Sequence, residues 1–381
     1  MAKGDMIQVH MLTAYPASLL NRDDAGLAKR IPFGGAVRVR ISSQCLKKHW
    51  REAPGIADFD KDLGLADRST RIYEKRVAEP LVREDGATEA EALAIAQYLM
   101  RETVDTKPVK DKSGAETARS GQLLVLTRAE TEFLAEQAVQ ILQKVRAAGA
   151  DPTDMEALKK VAPIDKKTLG PILKELPASI DTALFGRMVT SDLFARVDAA
   201  VSVAHAFTTH AETAETDYFT AVDTLNVDDA GAGLVQDTEL TSGVFYTYAV
   251  IDMEQLRANL GREPELAERL ARNLVRVMAT VSPGAKRGST APYAFAEFVL
   301  LERGSTQPRT LANAFLNPVV ADGAGLMVNS VHALMQYRMR LEQMYGFVPA
   351  KESVATIHPL PPGSRIDAVP FATALDQIFG G

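Results

Sequence analysis

Residues 37–51 limit what this chain can fold into more than any other stretch. Val37, Val39 and Ile41 alternate with Arg38 and Arg40, the period of a half-buried strand with two arginines on one face. Ser42 and Ser43 follow at once and can cap a helix running through Leu46 and Trp50. A strand that delivers cations to the start of a helix suits a phosphate, because the first helical amides are free and that dipole end is positive. Lys47 and Arg51 lie four apart and share a helix face. Ser42, Ser43 and Gln44 add neutral donors. A solvated basic face on a surface helix fits the same residues, and the pattern alone leaves both readings open.

The remaining pattern is mixed. Gln8 to Thr13 alternates weakly as a first strand, and Gly243 to Asp252 (GVFYTYAVID) is the strongest strand signal. Between them lies a helical stretch over about 52–177. Thr88 to Thr106 carries a stripe of Leu93, Ala96, Gln97 and Met100. Thr127 and Glu130 form a capping-box signature ahead of a helix to Ala148. Two shorter helices are delimited by Pro152, Pro163 and Pro177, and Lys107 to Gly121 reads as a polar mobile loop. Strand character returns over Ser179 to Met188, Ala199 to Thr208 and Tyr293 to Leu301. Thr213 to Thr224 reads as an exposed hairpin or arm, and Val227 to Gly233 as a loop. Helices are expected over Pro264 to Thr280 and Ser330 to Tyr345, before a Pro-rich tail. The order predicts an α+β protein with strands flanking a helical insertion.

Composition narrows the partners. Formal net charge is -6, which argues against a general nucleic-acid coat. Yet Lys29, Arg30, Arg38, Arg40, Lys47, Lys48 and Arg51 fall in a span with no Asp or Glu. A local stripe in an acidic chain fits one dedicated anionic ligand. The single cysteine, Cys45, excludes an intramolecular disulfide. No signal-peptide core and no run of ~20 apolar residues is present, so a cytoplasmic protein with no membrane partner is expected.

Other chemistry is sparse. Tyr218, Phe219 and Thr220 on the polar arm, with Met188, can stack or wedge against bases. They can equally be an apolar tip packed on a neighbouring element. Gly284-Ala-Lys286-Arg287-Gly288 is a basic turn able to form an anion nest, or a plain turn. The six histidines are scattered, and His205 and His210 would face opposite sides of a straight strand. No zinc set, Walker loop, dinucleotide fingerprint or nucleophile elbow is found, so no metal, cofactor or catalytic residue is expected. Asp23 and Asp24 could bind Mg²⁺, but a polar loop explains them more simply.

Several segments resemble the backbone subunit of type I-E CRISPR Cascade complexes. They are Leu20-Asn21-Arg22-Asp23-Asp24, Phe33-Gly34-Gly35, Arg38-Val-Arg40-Ile-Ser-Ser-Gln44, Ala183-Leu-Phe-Gly-Arg-Met188, Val203-Ala-His205-Ala-Phe-Thr-Thr-His210, Tyr218-Phe-Thr-Ala-Val-Asp223, Ser242-Gly-Val-Phe-Tyr246 and Pro283-Gly-Ala-Lys286. The resemblance implies an RRM-like (ferredoxin-like) palm with a helical fingers insertion and a β-hairpin thumb. Residues 1–51 would open the palm, 52–177 form the fingers, 178–305 continue the palm with the thumb at about 201–239, and 306–381 complete it with a helical part.

The same resemblance implies a crRNA-binding subunit, not an enzyme, that polymerises along the guide spacer and kinks it at intervals. Arg22, Lys47 and Arg51 would hold guide phosphates, assisted by Ser42, Ser43 and Gln44, with Arg38, Arg40 and Lys286 on the same RNA-binding side. Met188, Phe219 and Thr220 would lie beside the kink, and Lys166 and Lys167 would grip duplex DNA. Implied partners are crRNA, target DNA paired to the guide, further copies of the chain, the large, small, 5′-handle-capping and crRNA-processing subunits, and a recruited helicase-nuclease. Related subunits that cut RNA with a loop aspartate supply the alternative, a metal-dependent endonuclease using Asp23 or Asp24. The chain departs from the pattern at Ala36 and Val37, where the family often carries basic residues.

Overall fold

The computed structural model describes residues 4–104, 106–189, 191–212, 214–222 and 232–380. In chain order its strands are β1 (Met6–Ser18), β2 (Arg30–Phe33), β3 (Ala36–Ile41), β4 (Asp67–Ser69), β5 (Pro108–Lys110), β6 (Glu116–Ser120), β7 (Leu124–Leu126), β8 (Val201–Val203), β9 (Ala206–Thr208), β10 (Ala214–Val222), β11 (Ala232–Asp252), β12 (Phe298–Gly304) and β13 (Lys351–Thr356). The chain divides into two compact units, one of residues 1–56, 201–254 and 264–381, the other of residues 57–200 and 255–263.

The first unit is built on a nine-stranded antiparallel sheet with the order β13-β12-β1-β11-β9-β3-β2, and β8 and β10 also pair with β11. β1 is central, pairing Met6 with Asp252 on one side and Met6 with Gly304 on the other. Both its faces are covered, so seven successive residues from Ile7 to Thr13 are buried and the alternation expected for a one-sided strand is muted. One face packs Leu12, Tyr246, Phe298, Leu300 and Val354 against Val331, Leu334 and Met335 of the helix Leu326–Tyr345. The helix Pro264–Thr280 buries Ala267, Leu270, Ala271 and Leu274.

β11 is long enough for two jobs. Residues 241–252 belong to the sheet, while residues 232–241 pair with β10 as a hairpin, Phe219 opposite Gln236 and Thr220 opposite Val235. The expected arm is therefore a hairpin. Val201–Val203 and Ala206–Thr208 lie in the sheet beside β11, so the hairpin begins at Ala214 and not near 201. The loop expected at Val227 to Gly233 lies largely outside the described residues.

The second unit is mainly helical. Its core joins Leu134, Ala138, Ile141, Leu142 and Val145 of the helix Arg128–Ala147 to Ile95 and Leu99 of the helix Glu89–Thr103, with Tyr73, Val77, Leu158 and Leu173. Both long helices open on capping boxes: Thr88 with Glu91, and Thr127 with Glu130. Two small strand pairs, β4 with β7 and β5 with β6, complete it.

Four expectations are corrected. Lys107 to Gly121 is the β5–β6 hairpin: Asp111 Oδ1 accepts the Ser113 and Ala115 amides at 2.8 and 3.1 Å, and Gly114 takes φ 87°. β5 is largely exposed, and β6 buries only Ala118 and Ser120, two small residues that leave little apolar alternation in the sequence. Ser179 to Met188 holds the helix Ile180–Phe185, whose first five residues are all buried, so it lacks an amphipathic period. The Pro-rich tail contains β13 and the helix Phe371–Phe379, and β12 starts at Phe298, with Tyr293 and Phe295 exposed ahead of it. Among the described residues, no helix is long and apolar enough to cross a membrane.

Candidate nucleic-acid interface

The strand–helix unit forms as its sequence dictates. Ser42 is the N-cap of the helix Ser43–Arg51, its hydroxyl accepting the Cys45 amide at 3.3 Å. The first turn carries no acid, and Lys48, His49 and Arg51 sit in the last, where the helix dipole favours cations. Leu46 and Trp50 bury the inner face. Gln44 and Lys48 are exposed, Ser43, Lys47 and Arg51 half-buried. Partial burial lowers the Lys47 pKa.

The Asn21–Asp24 loop docks onto this helix start. Asn21 Oδ1 accepts the Ser42 amide at 2.9 Å, and its backbone carbonyl accepts the Lys29 amide at 2.9 Å. Asp23 Oδ1 accepts the amides of Ala25 and Leu27, both at 3.0 Å, which shapes the loop. Arg22 is exposed and bridges Ala28 through its backbone.

The basic turn at 284–288 joins the same place, a convergence no local pattern could show. The Ala285 amide donates to the Leu19 carbonyl at 2.9 Å. Burial pushes the Cys45 thiol pKa up, against the opposing charges of Lys48, Arg287 and Lys29. Burial likewise depresses His205, helped by Arg40 and Lys29. Arg40 reaches His205 Nδ1 at 3.0 Å and the Arg30 carbonyl at 3.0 Å. Lys29, Lys48 and Arg287 thus lie within electrostatic reach of Cys45, and Lys29 and Arg40 of His205, so cations from β3, the capped helix and two loops gather in one region. Lys286 donates to Thr238 Oγ1 at 2.6 Å, at the root of the hairpin.

Arg38 is the exception. It is 0% exposed, its Nη1 and Nη2 donating to the Thr208 and Phe315 carbonyls at 3.0 and 2.7 Å, with the guanidinium over the Phe33 ring. The two arginines of β3 point one way, as the alternation predicts, but the segment around Phe315 covers that face at Arg38. Of the two arginines expected on one face for binding an anion, only Arg40, half-buried, remains accessible. Val37, expected inside, is 47% exposed.

The second unit holds the other named residues. Met188 is 83% exposed, directly after Arg187, which is 5% exposed. Arg187 pairs with Glu130 through both Nη atoms, and its amide and carbonyl bridge Val197. Gly186, at φ 75°, passes so close to the 197–199 backbone that a Cβ would meet Val197 O at 2.9 Å. This anchoring presents Met188 outward. Lys166 and Lys167 open the helix Lys166–Glu175; both are exposed, and Lys166 meets Glu102 at 3.1 Å. The side chains of Phe219 and Thr220 lie outside the described residues.

Asp23 and Asp24 belong, among the described residues, to no group of three possible metal ligands. Among the described residues, acids close enough to share an ion are Glu302, Glu342 and Glu352, with oxygens within 4.8 Å of one another. Arg338 already occupies that space, meeting Glu302 at 2.8 Å, Glu342 at 2.9 Å and Glu352.

This is an α+β protein with a large antiparallel sheet and a mainly helical second unit. Residues 7–369 match the CT1975-like protein family, and the chain belongs to it. A chain of a "CRISPR RNA-guided surveillance complex, pre-nicking" is similar over 98% of this chain and 99% of its own, with a TM-score of 0.81 and 26% identity. A second, from a "CRISPR RNA-guided surveillance complex", has a TM-score of 0.73 and 22% identity over 98% and 99%, and shows the same fold. No curated protein matches. Family and likeness together support a Cascade-type CRISPR protein.

Proposed function

We propose that the chain is the crRNA-binding backbone subunit of a type I-E Cascade complex. The observation that carries this reading is the cationic surface formed by Lys29, Arg40, Lys48 and Arg287 around an acid-free, capped helix start, beside the root of a projecting hairpin. Such a surface holds a phosphate backbone by charge and backbone amides and reads no bases. Guide bases stay free to pair with target DNA, and sequence recognition falls to that pairing. Lys47, Arg51, Arg22, Ser42, Ser43 and Gln44 assist, and the first unit serves as an RRM-like palm. Met188 and the hairpin flank a kink in the guide, while Lys166 and Lys167 face duplex DNA. Copies of the chain stack along the spacer with the other Cascade subunits. DNA destruction belongs to a recruited helicase-nuclease, not to this chain.

The deciding experiment is co-expression with a CRISPR array and its processing partner, followed by nuclease treatment and identification of the bound nucleic acid. Protected RNA of spacer length is expected. A chain free of RNA even when the full operon is expressed would end the proposal. Incubating the complex with labelled target RNA and Mg²⁺ tests the endonuclease alternative, and no cleavage dependent on Asp23 or Asp24 is expected.

A further inference from the structure

The β10–β11 hairpin leaves the sheet near Thr241, and distant parts of the chain grip its root. Arg30 on β2 donates from Nε to Glu212 at 2.5 Å, just before β10, and from Nη2 to Glu239 on β11. The second Glu239 oxygen accepts the Ala28 amide at 2.6 Å. The Glu212 amide donates to the Val37 carbonyl at 2.8 Å, and Thr241 Oγ1 donates to the Ser18 carbonyl at 3.1 Å. One guanidinium therefore ties both legs of the hairpin to the edge strand of the sheet. The side chains are 31% exposed for Arg30, 17% for Glu212 and 10% for Glu239. That shielding makes the contacts firmer than an open surface pair. Two carboxylates around one cation also leave Arg30 little attraction for a further anion.

We propose that Arg30 is a positioning residue that sets the pose of the hairpin beside the cationic surface and does not itself hold phosphate. The inference rests on the RNA-binding role proposed above, and it separates Arg30 from the other cations of the 29–51 stripe. If Arg30 gripped RNA, removing its carboxylate partners would free it to bind more tightly. As a latch, Arg30 fails equally whichever side is removed.

The test uses Arg30→Ala, Arg30→Lys and the pair Glu212→Gln with Glu239→Gln. Amide exchange is measured across 214–222 and 238–241 in the RNA-free chain. Salt-dependent binding and ribonuclease protection of the guide are measured in the co-expressed complex. Arg30→Ala and the double Gln variant are each expected to speed exchange of the hairpin amides about tenfold. Both should blur the protection pattern to the same degree and leave the salt slope unchanged, and Arg30→Lys, which keeps a cation for the two carboxylates, should fall between Arg30→Ala and the unaltered chain. Tighter RNA binding in the double Gln variant, with a salt slope shallower by about one in Arg30→Ala, would overturn the proposal. So would exchange that neither variant changes. Absence of RNA from the unaltered complex would sink the RNA-binding role alone, since the exchange measurement needs no RNA.

Discussion

Arg187 and Glu130 form a two-pronged ion pair inside the helical unit, Nη2 donating to Oε1 at 2.8 Å, with both side chains almost wholly buried. Glu130 also caps the helix Arg128–Ala147 by accepting the Thr127 amide at 2.8 Å. One carboxylate thus fixes both a helix start and the turn that bears Met188. Glu130→Ala strands the Arg187 guanidinium in the interior, and a loss of about 3–5 kcal/mol in chemical denaturation is expected. Replacing Arg187 by Met should cost less, because the Glu130 carboxylate keeps the Thr127 amide and the positive end of its helix as partners.

Met188 tests the opposite expectation. Its side chain is 83% exposed, so Met188→Ala should change stability by less than about 0.5 kcal/mol. If it wedges beside the guide, ribonuclease protection of the bound RNA should still change. A protection pattern identical to that of the unaltered complex would remove Met188 from the interface.

Arg38 and the pair Lys47 and Arg51 should separate cleanly. Arg38→Ala leaves the Thr208 and Phe315 carbonyls without their donors, and a lower melting temperature with an unchanged salt slope for RNA is expected. Lys47→Ala with Arg51→Ala should weaken RNA assembly and make its salt slope shallower by up to about two. Titrating binding against salt at fixed temperature distinguishes the two.

The acid limit of the first unit should reflect Glu302. Burial pushes its pKa up, but the His10 contact and the charges of His10, Arg338 and Arg309 outweigh burial and hold it at about 2, below the ordinary 4.5. A depressed carboxyl stabilises the fold fully above its ordinary value. That contribution fades as pH falls from 4.5 toward about 2. Unfolding curves across that range should steepen with acid in the unaltered chain and flatten in Glu302→Gln, which should also be less stable at neutral pH because Arg338 loses one of its three carboxylate partners and Arg309 loses a partner as well.

Much of this architecture could be read from the residues. The caps at Ser42 and Thr127 are local chemistry, and local chemistry survives folding. The helix Pro264–Thr280 matches its expected bounds, as its wide apolar stripe permits. What escaped was set at long range. Arg38 is covered by residues almost 280 positions away, through the Phe315 carbonyl. The meeting of the 284–288 turn with the Asn21 loop depends on sheet order, which no short window contains. The helix Ile180–Phe185 hid because complete burial erases the period by which helices are recognised.

The position of β1 bears on how the chain is made. Its partners are β11 and β12, so Met6 cannot find Asp252 until most of the protein has left the ribosome. At about 5–20 residues per second the delay is on the order of 10–50 s. An apolar strand is exposed throughout, while residues 57–200 have already emerged and can collapse around their own core. Synthesis thus delivers a helical module that lacks only residues 255–263, tethered to an unpaired strand, and yield in the cell depends on keeping that strand from associating with others before its neighbours arrive.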